Sequence, residues 1–205
     1  MMLSLEMSDH HDEIDWDTVY VLPSQEVNLS DFPSDEEWIL DIGGGGEGII
    51  GRLKGKQVIA IDRVGDELQG TKNESLKLVM DARELNFLEN SFGTATLFFT
   101  LMYVPFEDLS MIFSELSRVL KPGGELLIWD VNVKVPPDIA GKNLFMVPLV
   151  VNFPDGSTSE TGYGAKIRDQ DADSFLPTAQ EFGFEIVDQE SRGLTFFVRM
   201  ALRKG

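Results

Sequence analysis

Short apolar runs alternate with polar segments through the middle of the chain, in the rhythm of strand and helix. Five of these runs have the length and composition of buried strands. They are residues 38–42, 58–62, 76–80, 94–100 and 125–133. Because strands that alternate with helices connect through right-handed crossovers, the pattern predicts a parallel sheet covered by helices on both faces.

The segments between these runs predict helices, and the hydrophobic periodicity is much clearer in one of them than in the others. Residues 47–54 and 66–73 are short and polar, and residues 82–89 predict a short helix or a turn. Residues 106–120 instead repeat apolar side chains at intervals of three and four, which predicts a helix with one face in the core. The turn at 121–124, Lys-Pro-Gly-Gly, stops this helix because proline cannot continue it and glycine accepts a positive φ.

The last third of the chain departs from the alternation. A predicted helix at 171–182 precedes two strands, 184–189 and 195–203, which are so close in sequence that they must pair antiparallel. Residues 134–168 contain an apolar, strand-like stretch at 144–153, and a turn-forming Pro-Asp-Gly-Ser sequence follows it. We therefore predict a β-hairpin inserted at about 134–168.

Charge divides the chain at its first basic residue, Arg52. The 205 residues carry 35 acidic and 17 basic side chains, a net charge of −18, and 13 of the acidic residues precede Arg52. We expect residues 1–37 to form an acidic, irregular and partly disordered cap, and residues 38–205 to form the folded domain. Because phosphate neutralisation supplies most nucleic-acid affinity, the charge argues against nucleic acids and anionic membranes as partners.

Residue types that the chain lacks narrow its chemistry further. It has no cysteine, which removes disulfides and thiolate chemistry and favours a cytoplasmic location. No apolar run approaches the roughly 18 residues of a membrane span, and the acidic N-terminus does not resemble a signal peptide. Adjacent His10 and His11 point apart in a segment expected to be mobile, so we predict no metal site.

A glycine-rich loop follows the first predicted strand. It runs from Asp41 to Gly48 and satisfies the G-x-G-x-x-G spacing. Glycine lets the backbone turn sharply and approach a ligand closely, and the start of the next helix favours an anionic group. Alone, the loop fits a dinucleotide as well as any other nucleotide-like cofactor.

Three aspartates, Asp41, Asp62 and Asp81, end the first three predicted strands. The carboxyl ends of adjacent parallel strands meet at one edge of a sheet, where open α/β sheets bind ligands. A carboxylate at the end of the second strand can accept hydrogen bonds from both hydroxyls of a ribose. The loop and the carboxylates together predict a cofactor site that contains a nucleoside.

With these motifs, residues 37–130 resemble the class I S-adenosylmethionine-dependent methyltransferases that act on small molecules, and the tail at 171–204 is compatible with that family. The resemblance rests on residues 40–45, Asp62, the pair Asp81-Ala82, and the runs 98–103 and 118–124. It implies an α/β, Rossmann-like fold with a seven-stranded, mostly parallel sheet and an antiparallel C-terminal strand pair. The glycine loop departs from the family spacing and looks as though it has gained one glycine.

The resemblance also implies how S-adenosylmethionine is held. The glycine loop would cradle the methionine end, Asp62 would bind the ribose with Arg63 beside it, and Asp81-Ala82 would meet the adenine amino group. The implied cofactor residues are Asp41, Gly43, Gly44, Gly45, Asp62, Arg63, Asp81, Ala82 and Thr100.

Methyl transfer needs alignment and the exclusion of water more than it needs a catalytic group, because the methyl group is already activated. Tyr103, beyond the fourth strand, could orient a substrate, act as a weak base or simply form a lid. Asp130, near the end of the fifth strand, could hold an amine, take a proton or only form hydrogen bonds. Trp16 and Tyr20 could close over the pocket or merely pack.

We therefore expect methyl transfer from S-adenosylmethionine to a small-molecule acceptor. Two alternatives stay open, an NAD(P)-dependent oxidoreductase and a non-catalytic protein that binds the cofactor. Asp41, the pair Asp81-Ala82 and the final strand pair speak against the first. Residues 144–151 are apolar enough for a pocket wall or for a strand at a homodimer interface, so the oligomeric state is open.

Overall fold

The computed structural model describes residues 15–30, 32, 37–137, 139 and 141–203. Two sequence predictions, disorder in residues 1–13 and the absence of a metal at His10 and His11, lie outside the described residues. Within these residues, no helix is long and apolar enough to cross a membrane.

The described residues form eleven strands and four α-helices. In chain order they are β1 (Val19–Val21), β2 (Gln25–Asn28), β3 (Ile39–Ile42), α1 (Ile49–Lys54), β4 (Val58–Asp62), α2 (Gly65–Gly70), β5 (Leu76–Val79), β6 (Phe92–Phe98), α3 (Leu109–Val119), β7 (Leu120–Val131), β8 (Leu144–Asn152), β9 (Thr158–Lys166), α4 (Leu176–Glu181), β10 (Phe184–Arg192) and β11 (Thr195–Leu202). Short 3-10 turns lie at Trp16–Thr18, Gly55–Gln57, Leu101–Tyr103, Phe106–Asp108 and Ala172–Ser174.

The larger sheet has seven strands in the order β10-β11-β7-β6-β3-β4-β5. The five strands from β7 to β5 pair in parallel. By contrast, β11 pairs antiparallel with both β7 and β10. This topology confirms the predicted fold, a Rossmann-like sheet that is mostly parallel and ends in an antiparallel strand pair.

Burial follows the hydrophobic pattern closely in the middle of this sheet. All four residues of β3 are buried, as expected for a strand that is covered on both faces. The apolar face of α3 is buried as well, through Leu109, Ile112, Phe113, Leu116 and Val119. The Lys-Pro-Gly-Gly turn lies inside β7 rather than before it. At Gly124 a Cβ atom would lie 2.9 Å from the carbonyl oxygen of Gly93, so only glycine fits there.

A smaller sheet of four strands is built around β8. The strands β1 and β2 pair with β8 in parallel, and β9 pairs with it antiparallel. Residues 19–28, expected to be irregular, therefore contribute two strands. Their partners lie more than 100 residues away in the sequence, so local periodicity does not reveal them. Since β8 has neighbours on both sides, it offers no free edge for the homodimer strand considered from the sequence.

Candidate active site

A cavity opens at the carboxyl ends of β3, β4 and β6, the edge where the three aspartates were expected to meet. Seven of the nine implied cofactor residues line it: Gly43, Gly45, Asp62, Arg63, Asp81, Ala82 and Thr100. We call this side of the cavity the cofactor wall. Four aromatic residues line the same cavity, and we call them the acceptor wall: Phe98, Phe99, Tyr103 and Tyr163.

The glycine loop turns tightly at the end of β3. The backbone N–H groups of Gly43 and Gly44 both donate to the carbonyl oxygen of Ile61, at 2.8 and 3.0 Å. Gly43 has a φ of +71°, and a Cβ atom there would lie 2.7 Å from the Thr100 side chain. At Gly45 a Cβ atom would lie 2.8 Å from Asp62 Oδ2. The loop is therefore packed too closely against Thr100 and Asp62 to carry side chains at Gly43 and Gly45, and it presents bare backbone at the cavity.

Asp41 supports this loop from below and does not line the cavity. It is 2 % exposed, and its Oδ1 accepts a 2.6 Å hydrogen bond from the hydroxyl of Thr96 on β6. Burial raises the pKa of Asp41 to about 7 against the opposing effect of the Thr96 hydrogen bond. A Cβ atom at Gly44 would lie 2.5 Å from Asp41 Oδ2, so Gly44 covers this carboxyl group. Asp41 and Gly44 thus act beneath the cofactor wall rather than on it.

Asp62 stands at the end of β4, where its carboxylate faces the glycine loop. Its Oδ1 accepts a 2.9 Å hydrogen bond from the backbone N–H of Val64, which fixes the orientation of the side chain. Gly45 approaches Oδ2, the other oxygen, so Asp62 and the loop form one continuous surface.

Asp81 also lines the cofactor wall, but its carboxylate is bound by an arginine two residues later. Arg83 donates to Asp81 through Nε at 3.0 Å and through Nη2 at 2.7 Å, and its Nη1 donates to Asp108 at 3.1 Å. The hydrogen bonds from Arg83 lower the pKa of Asp81. The sequence analysis did not single out Arg83 or Asp108, although an arginine so close to a strand-end aspartate is a local signal.

The acceptor wall is aromatic, and one of its members comes from the inserted hairpin. Tyr163 on β9 stacks on Phe99 with ring centroids 5.3 Å apart and planes within 10°. Phe99 has a φ of +52°, a strained conformation for a bulky residue and one that clusters at functional sites. Tyr103 lies on the 3-10 turn Leu101–Tyr103 and is 37 % exposed. Sequence reasoning missed Tyr163 because no motif surrounds it.

Three residues predicted for the site lie elsewhere. Asp130 is fully buried at the end of β7 and does not face the cavity, which corrects the expectation that its carboxylate meets the substrate. Trp16 is 49 % exposed, and Tyr20 pairs with Phe145 inside the smaller sheet. Neither aromatic side chain lines the cavity, because β1 binds the far edge of the hairpin instead of crossing the opening.

Comparison with known proteins identifies this arrangement. A family model described as a methyltransferase domain matches residues 40–128, which span the glycine loop, the three strand-end aspartates and α3. Residues 40–128 are therefore those of a S-adenosylmethionine-dependent methyltransferase domain. The match and the fold decide against the nicotinamide oxidoreductase alternative. No curated protein matches the sequence significantly.

Solved structures of methyltransferases and of a cyclase share the fold. A S-adenosylmethionine-dependent methyltransferase from Methanosarcina mazei superposes with a TM-score of 0.61 at 19 % identity, over 86 % of this chain and 97 % of that one. The [4+2]-cyclase SpnF gives 0.58 at 17 % identity, over 82 % and 75 %. A Haloferax volcanii methyltransferase in complex with the Trm112 methyltransferase activator gives 0.58 at 14 % identity, over 85 % and 86 %.

The cofactor wall of this methyltransferase fits S-adenosylmethionine at two of the three expected places. A Cβ atom at Gly43 would collide with Thr100 and one at Gly45 with Asp62, so the loop keeps only backbone at these positions, and Asp62 lines the cavity beside it. At the third place Arg83 already binds the carboxylate of Asp81. The adenine end is thus bordered by an ion pair rather than by a lone acceptor.

Proposed function

We propose that this methyltransferase transfers the methyl group of S-adenosylmethionine to a small-molecule acceptor. The observation that carries the proposal is the acceptor wall, where Tyr163 of the inserted hairpin stacks on Phe99 in the cavity that the glycine loop also lines. A cavity bounded in this way by a dedicated hairpin suits a compact acceptor better than a polymer. When bound, the cofactor supplies a methyl group on a positively charged sulfur, which a nucleophile attacks in line.

The residues of the cofactor wall bind and orient, and they need not react. Asp62 is placed to accept hydrogen bonds from the ribose, and the bare backbone at Gly43 and Gly45 allows the methionine end to approach. The acidic side chain of Asp62 on this wall, and that of Glu67, which also lines the cavity, suit a cofactor that carries a sulfonium and an ammonium group.

The chemistry of the acceptor wall favours a neutral and largely apolar acceptor. Phe98, Phe99, Tyr103 and Tyr163 supply aromatic rings, and two phenol hydroxyls are the polar groups of their side chains. None of these four residues is charged, and the net charge of −18 disfavours polyanionic acceptors. Tyr103 is the side chain that we propose orients the acceptor, since it is exposed at the cavity while Asp130 is not.

Location and assembly belong to the same proposal. A cytoplasmic enzyme is consistent with a chain that has no cysteine. The Haloferax volcanii methyltransferase was solved in complex with a partner protein. Size-exclusion chromatography of the pure chain shows whether this protein is a monomer or a homodimer.

The proposal is tested with methyl-labelled S-adenosylmethionine and a panel of thiols, amines and phenols. We expect label to appear in at least one class of small acceptor, together with S-adenosylhomocysteine. Cofactor binding without transfer to any member of the panel would favour the non-catalytic alternative.

A further inference from the structure

The turn that carries Tyr103 is held from two sides. The backbone N–H of Met102 donates to Asp130 Oδ2 at 3.1 Å, and Arg168 Nη2 donates to the carbonyl oxygen of Leu101 at 2.9 Å. Arg168 also lies over the ring of Phe106, 4.2 Å from its centroid, just beyond the turn. The turn Leu101–Tyr103 is therefore anchored both through a backbone donor and through a backbone acceptor.

Gln170 joins the two anchors to each other. Its Oε1 accepts from Arg168 Nε at 3.0 Å, and its Nε2 donates to Asp130 Oδ1 at 3.3 Å. Gln170 is itself fixed by backbone hydrogen bonds in both directions with Val133, at 2.8 and 3.0 Å. Asp130 and Gln170 are buried, with 0 % and 1 % exposure, so water cannot replace these contacts cheaply.

We propose that Asp130, Gln170 and Arg168 form a positioning network that fixes Tyr103 at the acceptor wall, and that the network is complete only while Asp130 is ionised. The proposal rests on the proposed function, because it assigns a role to the same acceptor wall. It makes Asp130 a positioning residue that acts through the turn, and it explains why a carboxylate outside the cavity is buried beside it.

The hydrogen-bond count at Asp130 shows why ionisation matters. Its Oδ1 accepts from the backbone N–H of Val131 at 2.8 Å and from Gln170, and its Oδ2 accepts from Met102. The backbone N–H of Leu101 also faces this carboxylate. A proton on either oxygen therefore meets a donor, and on Oδ2 it meets the N–H of Met102. Two donors then face each other, and the turn loses its tether.

The charged surroundings set the pH at which this happens. Burial raises the pKa of Asp130 to about 7, while the hydrogen bonds from Val131 and Met102 and the charge of Arg168 act in the opposite direction. Glu107 faces Arg168 in turn, and Tyr103 is the titratable side chain on the tethered turn itself. The tether is thus lost as the pH falls through about 7.

The substitution Asp130→Asn tests the network. The asparagine amide has one oxygen that accepts and one nitrogen that only donates, so its N–H group must face one of the donors that surround Asp130. We expect kcat/KM for the acceptor to fall about ten-fold, the loss that corresponds to one hydrogen bond. In the wild type we expect kcat/KM to rise as the pH increases through neutrality, and in Asp130→Asn this rise should disappear. The Kd for S-adenosylmethionine should change less than about two-fold. Asp173→Asn is the matched control, since Asp173 is exposed and outside the network.

Hydrogen exchange gives a readout that does not depend on activity. In the wild type, the Met102 amide should exchange faster at pH 6 than the known effect of pH on exchange predicts, and in Asp130→Asn it should be unprotected at both pH values. The variant Arg168→Met, at a half-buried position, should loosen the same turn while it keeps the carboxyl group of Asp130, so the test survives if Asp130→Asn does not fold.

The network would be overturned if the Met102 amide kept its wild-type protection in both Asp130→Asn and Arg168→Met. It would also be overturned if kcat/KM of Asp130→Asn rose with pH as in the wild type. Failure of the proposed function is distinguishable, because a wild-type protein that transfers no methyl group would still show the exchange pattern at the turn.

Discussion

The two walls of the cavity are built in different ways, although each rests on a buried aspartate at the end of a strand. The cofactor wall comes from adjacent strands of the large sheet, with Asp41 and Thr96 beneath it. The acceptor wall depends on Tyr163 and Arg168, whose partners Phe99 and Leu101 lie more than 60 residues earlier in the chain. The strand–helix units thus supply the cofactor wall, whereas the wall that we propose for the acceptor takes one of its residues from the inserted hairpin.

The largest expected effect concerns the support of the cofactor wall. The folded-state pKa of Asp41 is raised from 3.8 to about 7, so its contribution to stability is complete below about pH 3.8 and is lost as the pH rises to about 7. Asp41→Asn mimics the neutral form. The free energy of unfolding of the variant relative to the wild type should therefore increase between these pH values, by up to roughly 4 kcal/mol, and then level off.

Urea denaturation at a series of pH values measures this difference. Asp130 titrates in both proteins and cancels. A difference that does not change with pH would mean that Asp41 titrates normally and that the glycine loop does not rest on a neutral carboxyl group.

The next effect breaks the cofactor wall itself. Gly43→Ala combines a φ of +71° with a Cβ atom 2.7 Å from Thr100, so we expect S-adenosylmethionine affinity to weaken by roughly 3 kcal/mol or more. Gly156→Ala is the control, because Gly156 has a φ of +81° and nothing within 4 Å of the added atom. Calorimetry that finds equal affinity in the two variants would show that the loop does not approach the cofactor.

Asp62→Ala tests the contribution of one side chain of the cofactor wall to cofactor affinity. Removing a carboxylate that accepts from the ribose should weaken S-adenosylmethionine binding by about 1.5–3 kcal/mol. Asp66→Ala removes an exposed carboxylate of α2 that does not line the cavity, and it should leave the affinity unchanged. Equal losses in the two variants would point to a general effect of charge instead of a contact.

The smallest expected effect tests the acceptor wall. Tyr163→Ala removes the stacking on Phe99, which is worth about 1 kcal/mol beyond the lost contact area, and should raise KM for the acceptor several-fold. The Kd for S-adenosylmethionine should stay the same. Tyr20→Ala serves as the control from the smaller sheet, and a KM that rises equally there would favour the cap that the sequence suggested.

The two walls also differ in how far the sequence predicts them. The glycine loop, Asp62 and the alternation of strands and helices follow from periodicity and spacing, because each depends on residues close together in the chain. The ion pair of Arg83 with Asp81 was not predicted, although Arg83 lies only two residues away, since a motif marks a position but not which neighbour binds its carboxylate.

The sequence does not predict the acceptor wall, for a different reason. Tyr163 and the strands β1 and β2 take their positions from pairing with β8, over sequence separations that no local pattern records. Asp130 was placed correctly on its strand, but the pleat turns its carboxylate toward Met102 and Gln170 instead of the cavity. Successive side chains of a strand point to opposite faces of the sheet, so a shift of one residue decides between these two directions.

The central claim is that the methyl group passes to a small molecule, and the partition of label from S-adenosylmethionine tests it most directly. The chain and methyl-labelled cofactor are incubated with a cell extract, which is then separated by ultrafiltration into small molecules and macromolecules. The proposal predicts label in the small-molecule fraction, as a product other than the cofactor, and loss of that product in Asp62→Ala. Label that appears in protein or nucleic acid instead would contradict it.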